Sequence, residues 1–389
     1  MSTTQLLGRD TATGHSIVVT LEEDAILSIE PSNQPSNLWI SAGLVDLQVN
    51  GYLGLDLNGR DLKGQDVSGE TVSQLTRFLL ATGVTTFLPT IITAPEKGTL
   101  HRLASIAEAR AKDSVAAACI PYVHMEGPSI SPQDGFRGAH PLESVRPPSL
   151  SEFERWQDAS GGLVGLVTLS PHFPGSNAYI RTLVERGVHV ALGHTHATHE
   201  QIENAVQAGA RLSTHLGNGI ALQLARHPNP IWSQLAEDRL TACFIADGHH
   251  LPAETLKAMM RAKGDLDRFV LVSDSVALAG MEPGHYDTPV GGPVELSIDG
   301  RLSMKGTSTL AGAAVPLITC VGRAVKMTGR SLAEVLTLAR ENPGRFTGNR
   351  GRLLARERAD IFRFRWDGEK CIATVNDVWL AGKLVHTAS

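Results

Sequence analysis

Short apolar runs alternate with amphipathic stretches between about Ala42 and about Met327. This alternation predicts strands that are each followed by a helix, an order that is typical of a parallel sheet. Eight such strands are what a closed (β/α)8 barrel requires, so we predict the α/β class with a TIM-like barrel. The predicted strands are centred on Leu44-Val45, Thr86-Phe87, Tyr122-Val123, Val164-Leu166, Val188-Ala191, Leu212-Ser213, Cys243-Ile245 and Val270-Val272.

One predicted helix illustrates how the stretches between the strands coat the barrel. Thr198 and Gln201 form a capping-box pattern, in which two side chains satisfy free amides at the start of a helix. Gly209 marks the end of the same helix. Apolar residues recur between these points at helical spacing, which predicts one buried face: Ile202, Ala205 and Val206.

The two chain ends do not follow this alternation. Residues 13 to 30 and about 356 to 386 have the pattern of strands without helices. We predict that these ends pair in a small β-sandwich domain. The predicted limits are 1–41 for its N-terminal part, 42–347 for the barrel and 348–389 for its C-terminal part.

A local exception follows the eighth predicted strand. From Val294 to Lys305 apolar residues alternate with polar ones, and Asp299-Gly300 lies between them. An Asp-Gly pair in such a setting is a strong indication of a hairpin. The sequence therefore predicts a β-hairpin insert near 290–306.

Composition narrows the classes of partner. Hydrophobic residues make up 42% and charged residues 19% of the 389 residues, which is typical of a folded protein. The 40 acidic and 35 basic residues give a net charge of −5, and no long lysine or arginine run offers a surface for nucleic acid. We therefore expect a small-molecule partner and no nucleic acid.

The cysteines and the apolar segments bear on the compartment. The four cysteines are far apart and form no CxxC pair, so we expect reduced, buried thiols. The first twenty residues are polar, unlike a signal peptide, and no stretch reaches the ~18 apolar residues of a membrane span. These features predict a cytoplasmic protein without a membrane partner.

Polar residues end several of the predicted strands. In a (β/α)8 barrel the carboxyl ends of the strands meet at one mouth, where active sites are built. The third apolar run ends in Glu126, the fifth in Gly193-His194, the sixth in Thr214-His215 and the eighth in Ser273-Asp274. We expect all of these side chains to point into the same mouth.

A metal site is the chemistry that this set favours. His194 and His215 are 21 residues apart, enough for one helix and one strand, so they should end neighbouring strands about 4.8 Å apart. With Glu126 they supply three ligands and leave one position open, as in a catalytic zinc site. His124 and His196 are alternative ligands because each lies two residues from a favoured one.

Asp274 is the candidate for proton transfer. It follows the apolar run from Phe269 to Val272, where a carboxylate needs a cation, a donor or a substrate. We interpret it as the group that accepts a proton from the attacking water and returns it to the departing nitrogen. The alternative is a structural salt bridge.

Other polar residues are candidates for substrate contacts. His140 lies on a long loop after the third strand and could polarise a carbonyl, or be an ordinary surface histidine. Asn218 and Gly219 follow His215 in a turn whose amides could approach a ligand. Arg226 and His250 are candidate contacts for an anion, although arginines usually lie on solvated faces.

Several stretches, in their common order, resemble the N-acetylglucosamine-6-phosphate deacetylase family of the amidohydrolase superfamily. The resemblance covers nearly the whole chain. The stretches are GLVDLQVNG at 43–51, HMEGP at 124–128, GAH at 138–140, Gly193-His194 with THL at 214–216 and Asn218, IADG at 245–248 with His250, LVSD at 271–274 and LAG at 310–312.

The resemblance implies an activity and an assembly. The expected reaction is hydrolysis of the acetamido group of N-acetylglucosamine 6-phosphate to glucosamine 6-phosphate and acetate, and the expected assembly is a homodimer. Glu126, His194 and His215 would be the metal ligands, and Asp274 the catalytic acid and base. The implied substrate contacts are His140 at the carbonyl, Asn218, Gly219, His250, Leu310, and Arg226 from its own or the neighbouring subunit.

Gln48 and Asn50 stand where many superfamily members carry a His-x-His pair for a second metal. Amide side chains are poor replacements for imidazole at a transition metal. The sequence therefore resembles the one-metal branch, in which Gln48 holds the metal-bound water. We expect one divalent ion, with zinc as the first choice, since iron, cobalt and manganese accept the same ligands.

The chain also departs from the family. The turn after His215 has Gly217-Asn218-Gly219 where the family often has Tyr-Asn-Ala, and Phe136-Arg137 replaces a common lysine-containing pair. These changes affect the sugar pocket, so another N-acyl amino sugar, another amide or a substrate without phosphate is an open alternative. A noncatalytic barrel is a further alternative, because a fold alone does not prove a function.

Overall fold

An eight-stranded parallel barrel forms the centre of the computed structural model, which describes residues 3–288, 292–307 and 309–388. Each barrel strand pairs in parallel with the next along the chain. The eight predicted strands are confirmed. In order they are Leu44–Val49, Val84–Ile92, Val123–Glu126, Val164–Leu169, His189–Leu192, Leu212–Ser213, Thr241–Ile245 and Phe269–Val272.

The first and eighth barrel strands meet at their carboxyl ends. Val49 forms a parallel bridge with Ser275. The Ser273 amide donates to Asp46 Oδ1 at 3.1 Å, and the Asn50 amide donates to the Ser275 carbonyl at 2.8 Å. These bonds close the barrel next to the predicted site.

Helices surround the barrel and bury one face against it. Thr198 and Gln201 form the predicted capping box, and Ile202, Ala205 and Val206 are buried. The α-helices are Gly69–Leu80, Glu96–Lys112, Ser114–Cys119, Leu150–Ser160, Ser176–Glu185, His199–Gln207, Pro230–Ala236, Ala253–Lys263, Leu317–Thr328, Leu332–Ala339 and Glu341–Gly344, with 3-10 helices at Leu142–Ser144 and Leu266–Arg268. In the described part of the chain, no helix is both long and apolar enough to cross a membrane.

The two chain ends form one seven-stranded sheet, as their strand patterns predict. Trp39–Ala42 joins the two halves of this sheet, since it pairs in parallel with Thr3–Asp10 and antiparallel with Ile361–Asp367. Buried residues from both ends, including Leu6, Val19 and Trp379, form a separate core. The predicted fold class, a barrel with a small β-sandwich domain from both ends, is confirmed, whereas the limits 1–41, 42–347 and 348–389 stay a prediction. The strands are Thr3–Asp10, Ser16–Glu22, Ala25–Pro31, Trp39–Ala42, Ile361–Asp367, Ile372–Leu380 and Lys383–Thr387.

The predicted hairpin insert is present and has an additional strand. Gly292–Leu296 pairs antiparallel with Leu302–Met304, and Gly284–Thr288 adds a strand before the predicted start. Part of the predicted range, 290–291, lies outside the described residues. The turn containing Asp299 contacts the helix Leu317–Thr328, because the Asp299 carbonyl accepts a hydrogen bond from Arg323 Nη2 at 2.7 Å.

A second, smaller hairpin follows the first barrel strand. Gly51–Tyr52 pairs antiparallel with Leu55–Asp56. A Cβ on Gly51 would lie 2.3 Å from the Leu55 carbonyl oxygen, so the close approach of these strands requires glycine there. The chain then runs directly past the barrel mouth.

Candidate active site

Three side chains converge at the barrel mouth with their ligand atoms nearly touching. Glu126 Oε1 lies 2.9 Å from His215 Nε2 and 3.2 Å from His194 Nε2. The two Nε2 atoms are 3.1 Å apart. All three side chains are buried. We call this group the candidate metal cluster.

The backbone at the strand ends aims these side chains into the mouth. Glu126 is the last residue of the third barrel strand, while His194 and His215 follow the fifth and sixth strands closely. His194 has φ +47° and His215 has φ +28°, in the left-handed region that non-glycine residues rarely occupy. Such strain is retained mainly where function requires the side chain.

A backbone carbonyl fixes the tautomer of His194. Its Nδ1 lies 2.9 Å from the Phe136 carbonyl oxygen, which can only accept, so Nδ1 carries the proton. Nε2 therefore presents its lone pair to Glu126 and His215. Metal-ligating histidines are usually oriented by a second hydrogen bond of this kind.

Two glycines enclose the His194 ring. A Cβ on Gly219 would lie 2.6 Å from Nδ1, and a Cβ on Gly138 would lie 3.1 Å from Cε1. Gly219, which the resemblance implies as a substrate contact, therefore packs directly against a candidate metal ligand. Because glycine has no side chain, the backbone at both positions can pack against the His194 ring.

The geometry and charge of the cluster fit a divalent cation. Tetrahedral coordination at ~2.1 Å separates ligand atoms by about 3.4 Å, so the observed atoms need to move apart by only a few tenths of an ångström. Burial alone would raise the pKa of Glu126, but its contacts with the His194 and His215 side chains hold it well below its usual value. Burial lowers the pKa of His215, yet Glu126 raises it to about 9 and Asp274 also raises it. The carboxylates of Glu126 and Asp274 thus favour a positive charge within the cluster.

His140 offers a third imidazole at the same place. Its ligand atom lies within 4.8 Å of those of Glu126 and His194, but Nδ1 is bonded to Thr93 Oγ1 at 2.8 Å. His215 makes the shorter contacts with both other ligands, so we favour it as the third ligand. Burial and His194 lower the pKa of His140 to about 3, which keeps the imidazole neutral.

The alternative ligands His124 and His196 are bonded elsewhere. His124 Nε2 meets Thr168 Oγ1 at 2.7 Å and Nδ1 meets the Leu47 carbonyl at 3.1 Å. His196 Nδ1 bonds Ser131 Oγ at 2.6 Å, and its ring stacks obliquely on His172. Within the described residues, neither histidine makes a hydrogen bond to a member of the candidate metal cluster.

Asp274 lies beside the cluster and has the same strained backbone, with φ +49°. Its Oδ1 accepts a hydrogen bond from Asn50 Nδ2 at 2.7 Å. Burial raises the pKa of Asp274 to about 7, with a further increase from Glu126 that His215 and His250 oppose. A carboxyl group poised near neutral pH suits a group that both takes and gives a proton.

The other predicted substrate contacts lie on segments that follow the sixth, seventh and eighth barrel strands. His250 Nδ1 bonds Asp247 Oδ2 at 2.7 Å, and this contact fixes the imidazole on the loop after the seventh strand. Asn218 Nδ2 is buried and has no partner within the described residues. Arg226 is exposed on the loop after the sixth strand, and Leu310 is half-buried and bridges to Ser303 of the insert.

Gln48 is buried near the closure of the barrel. Its Nε2 has no hydrogen-bond partner within the described part of the chain. A buried amide donor without a partner is a candidate for a bound water or substrate atom.

Two contacts at the site have no local pattern that would predict them. The Phe136 carbonyl orients His194 from 58 residues away, and Asn58 bonds Asn50 at 3.2 Å. Backbone carbonyls carry no residue-type information, and Asn58 follows no apolar run. A sequence pattern could have placed Asn50 at the mouth but not its bond to Asp274.

Comparisons with known proteins identify the family of this chain. The Amidohydrolase family model matches residues 39–385. The chain is 34% identical to an N-acetylglucosamine-6-phosphate deacetylase of Bos taurus over 79% of this chain and 74% of the relative. It is 31% identical to an N-acetylgalactosamine-6-phosphate deacetylase of Escherichia coli O157:H7 over 78% of this chain and 77% of the relative.

Solved structures give the same result. The crystal structure of N-acetyl-D-glucosamine-6-phosphate deacetylase from Mycobacterium smegmatis superposes with a TM-score of 0.85 at 27% identity, covering 98% of this chain and 100% of that chain. The corresponding enzyme from Pasteurella multocida superposes with a TM-score of 0.84 at 26% identity, covering 98% and 99%. The chain therefore belongs to the amidohydrolase family and is a hydrolytic enzyme.

Proposed function

We propose that this protein is a metal-dependent deacetylase that hydrolyses the N-acetyl group of N-acetylglucosamine 6-phosphate to glucosamine 6-phosphate and acetate. The observation that carries the proposal is the convergence of Glu126, His194 and His215 beside Asp274. Relatives that bear this activity and match most of this chain supply the substrate class.

Glu126, His194 and His215 would hold one divalent ion, and nitrogen and oxygen ligands of this kind favour zinc. When bound, the ion supplies Lewis acidity toward the substrate carbonyl and makes water a stronger acid. Gln48 and Asn50 replace the imidazoles that a second ion would need. We propose that the free Nε2 of Gln48 orients the attacking water.

The chain's own residues would then move the protons. Asp274 takes one proton from the attacking water while the oxygen of that water bonds to the acetyl carbon. When the carbon–nitrogen bond breaks, Asp274 returns that proton to the nitrogen, which leaves as the amine of the sugar. The other product is acetic acid, which releases the second proton of the water to solvent and becomes acetate. His140 would donate from Nε2 to the carbonyl oxygen, which requires Nδ1 to accept the Thr93 hydroxyl proton.

The sugar phosphate would bind on the loops around the cluster. His250 is held by its hydrogen bond to Asp247, which orients the imidazole as a candidate contact for the phosphate. Asn218 has a free amide donor, Gly219 lines the same turn, and Leu310 contributes apolar surface. These assignments rest on position and on the resemblance of the motifs.

We further propose a cytoplasmic homodimer in which Arg226 contacts the phosphate from its own or the neighbouring subunit. Arg226 lies on a loop that also exposes Leu222, 104% accessible, and is followed by Trp232, 53% accessible. Large exposed apolar side chains next to a site are typical of a surface that a second subunit covers.

N-acetylgalactosamine 6-phosphate is the second candidate substrate, because one relative of similar identity bears that activity. The glycine-containing turn after His215 also differs from the family's common Tyr-Asn-Ala. A single assay separates these proposals: acetate release from N-acetylglucosamine 6-phosphate, its galactosamine isomer and unphosphorylated N-acetylglucosamine. We expect the highest kcat/KM with the first. No release from any of the three, with metal fully loaded, would refute the proposed function.

A further inference from the structure

A chain of side-chain amides connects the second barrel strand to Asp274. Asn58 Nδ2 donates to the Thr90 carbonyl at 2.8 Å, and Asn58 Oδ1 accepts from the Ile92 amide at 2.9 Å. The same Nδ2 lies 3.2 Å from Asn50 Oδ1. Asn50 Nδ2 then donates to Asp274 Oδ1 at 2.7 Å. Asn58 and Asn50 are both buried.

Backbone groups determine which way each amide faces. The Thr90 carbonyl can only accept and the Ile92 amide can only donate, so Asn58 has one permitted orientation. Its NH2 group therefore faces Asn50, which must present its oxygen to Asn58. The NH2 group of Asn50 is left for Asp274. Although oxygen and nitrogen of an amide are often hard to tell apart, the two backbone contacts remove that ambiguity here.

The backbone around Asn58 is itself fixed. Its amide donates to Asp56 Oδ1 at 2.7 Å, in the turn that ends the small hairpin after the first barrel strand. The Asn50 amide is tied to the Ser275 carbonyl at 2.8 Å, next to Asp274. Both ends of the amide chain are therefore anchored, Asn58 to the second barrel strand and Asn50 to the residue that follows Asp274.

Resting on the proposed function, we propose that Asn58 is a positioning residue for the proton-transfer step. Through Asn50 it holds Asp274 Oδ1 as a hydrogen-bond acceptor and leaves Oδ2 as the atom that takes the proton from water and returns it to nitrogen. No hydrogen bond to Oδ2 comes from the residues that the structure describes, so that oxygen is free for this task. Neither asparagine contacts the reacting atoms in this proposal.

The test is Asn58→Asp in the full-length, metal-loaded protein. Aspartate has the same shape and can still accept from Ile92, but it can donate neither to Thr90 nor to Asn50. The NH2 group of Asn50 then turns toward the new carboxylate and away from Asp274. We expect kcat to fall about 100-fold, as a misplacement of about 1 Å can produce, with KM within threefold and metal content unchanged.

Asn342→Asp is the matched control. Asn342 Nδ2 likewise makes two hydrogen bonds, in its case to the backbone carbonyls of Leu266 and Phe269, both at 2.7 Å. These lie at the amino end of the eighth barrel strand, opposite Asp274. The same chemical change there should lower thermal stability but leave kcat within about twofold. A folded Asn58→Asp protein with a kcat like that of the control would overturn the proposal.

A double-mutant cycle separates positioning from general weakening of the structure. If Asn58 acts through Asn50, then Asn50→Ala combined with Asn58→Asp should lose no more kcat than Asn50→Ala alone. Multiplicative losses in the double variant would mean that the residues act independently and would reject the relay. If Asn58→Asp does not fold, the same cycle is made with Asn58→Ser.

A measurement without substrate keeps this inference distinct from the proposed function. In the wild type, the Asn50 side-chain NH2 should give a slowly exchanging NMR resonance that moves when Asp274 is replaced by asparagine. It should move likewise in Asn58→Asp but not in Asn342→Asp. An unchanged resonance in Asn58→Asp rejects the relay, whereas an intact relay without acetate release rejects only the proposed substrate.

Discussion

Replacement of Asp274 by asparagine should stabilise the metal-depleted protein at neutral pH while removing its activity. Burial of the Asp274 carboxyl group and the nearby charge of Glu126 raise its pKa from 3.8 to about 7. Asparagine keeps the shape, and its oxygen can still accept from Asn50. It carries no charge, so the variant avoids the cost of ionising a buried acid.

The magnitude and its sign follow from the two pKa values. Below pH 3.8 the group is protonated in both folded and unfolded chains and contributes no difference. Between about pH 4 and pH 7 the unfolded chain releases the proton but the folded chain retains it, so wild-type stability falls by ~1.4 kcal/mol per pH unit. Above pH 7 the loss is complete, at about 4 kcal/mol. Asp274→Asn escapes this loss.

Urea unfolding of chelator-treated wild type and Asp274→Asn between pH 5 and pH 8.5 measures the effect. The stability advantage of the variant should grow by about 3 kcal/mol between pH 5 and about pH 8 and then level off. The exposed Asp367 is the control, because hydrogen bonds from the Lys370 backbone lower its pKa, so Asp367→Asn should give no such gain. A pH-independent difference between wild type and Asp274→Asn would show that the reasoning about burial is wrong.

Two further substitutions test the proposed site. After dialysis, the wild type should retain its metal and His215→Ala should not. His196→Ala is the control and should retain the metal, because His196 is bonded to Ser131 outside the cluster. Full metal occupancy in His215→Ala by elemental analysis would refute the ligand assignment. Arg226→Ala should raise KM for a phosphorylated substrate about tenfold or more and change that of the unphosphorylated sugar little, and equal changes for both sugars would exclude a phosphate contact.

Apolar patterning was sufficient to locate the barrel because its strands are buried on both faces. Strands of this kind form continuous apolar runs, and each of the eight predicted centres coincides with one. The first strand of the insert, Gly284–Thr288, escaped prediction because its residues are half-buried or exposed. The hairpin of Gly51–Tyr52 and Leu55–Asp56 has only two residues per strand, too few for a period to show.

The candidate site was predictable to the extent that its residues end strands. Glu126, His194, His215 and Asp274 each follow an apolar run, so a pattern along the chain places them at one mouth. Contacts between distant segments leave no such pattern. Asn50 and Asp274 are 224 residues apart, and only the closure of the barrel brings them to 2.7 Å.

The backbone strain at the site explains why chemistry and stability compete there. His194, His215 and Asp274 have φ of +47°, +28° and +49°, a region where a non-glycine residue costs about 1 to 2 kcal/mol. Glycine would relieve that cost at each position but would delete the ligand or the proton carrier. The surrounding structure offsets the strain with bonds such as Leu216 amide to Cys243 carbonyl at 2.8 Å, directly after His215. Three strained backbone positions whose side chains converge at one mouth are difficult to explain by folding alone, and this supports a catalytic reason for their positions.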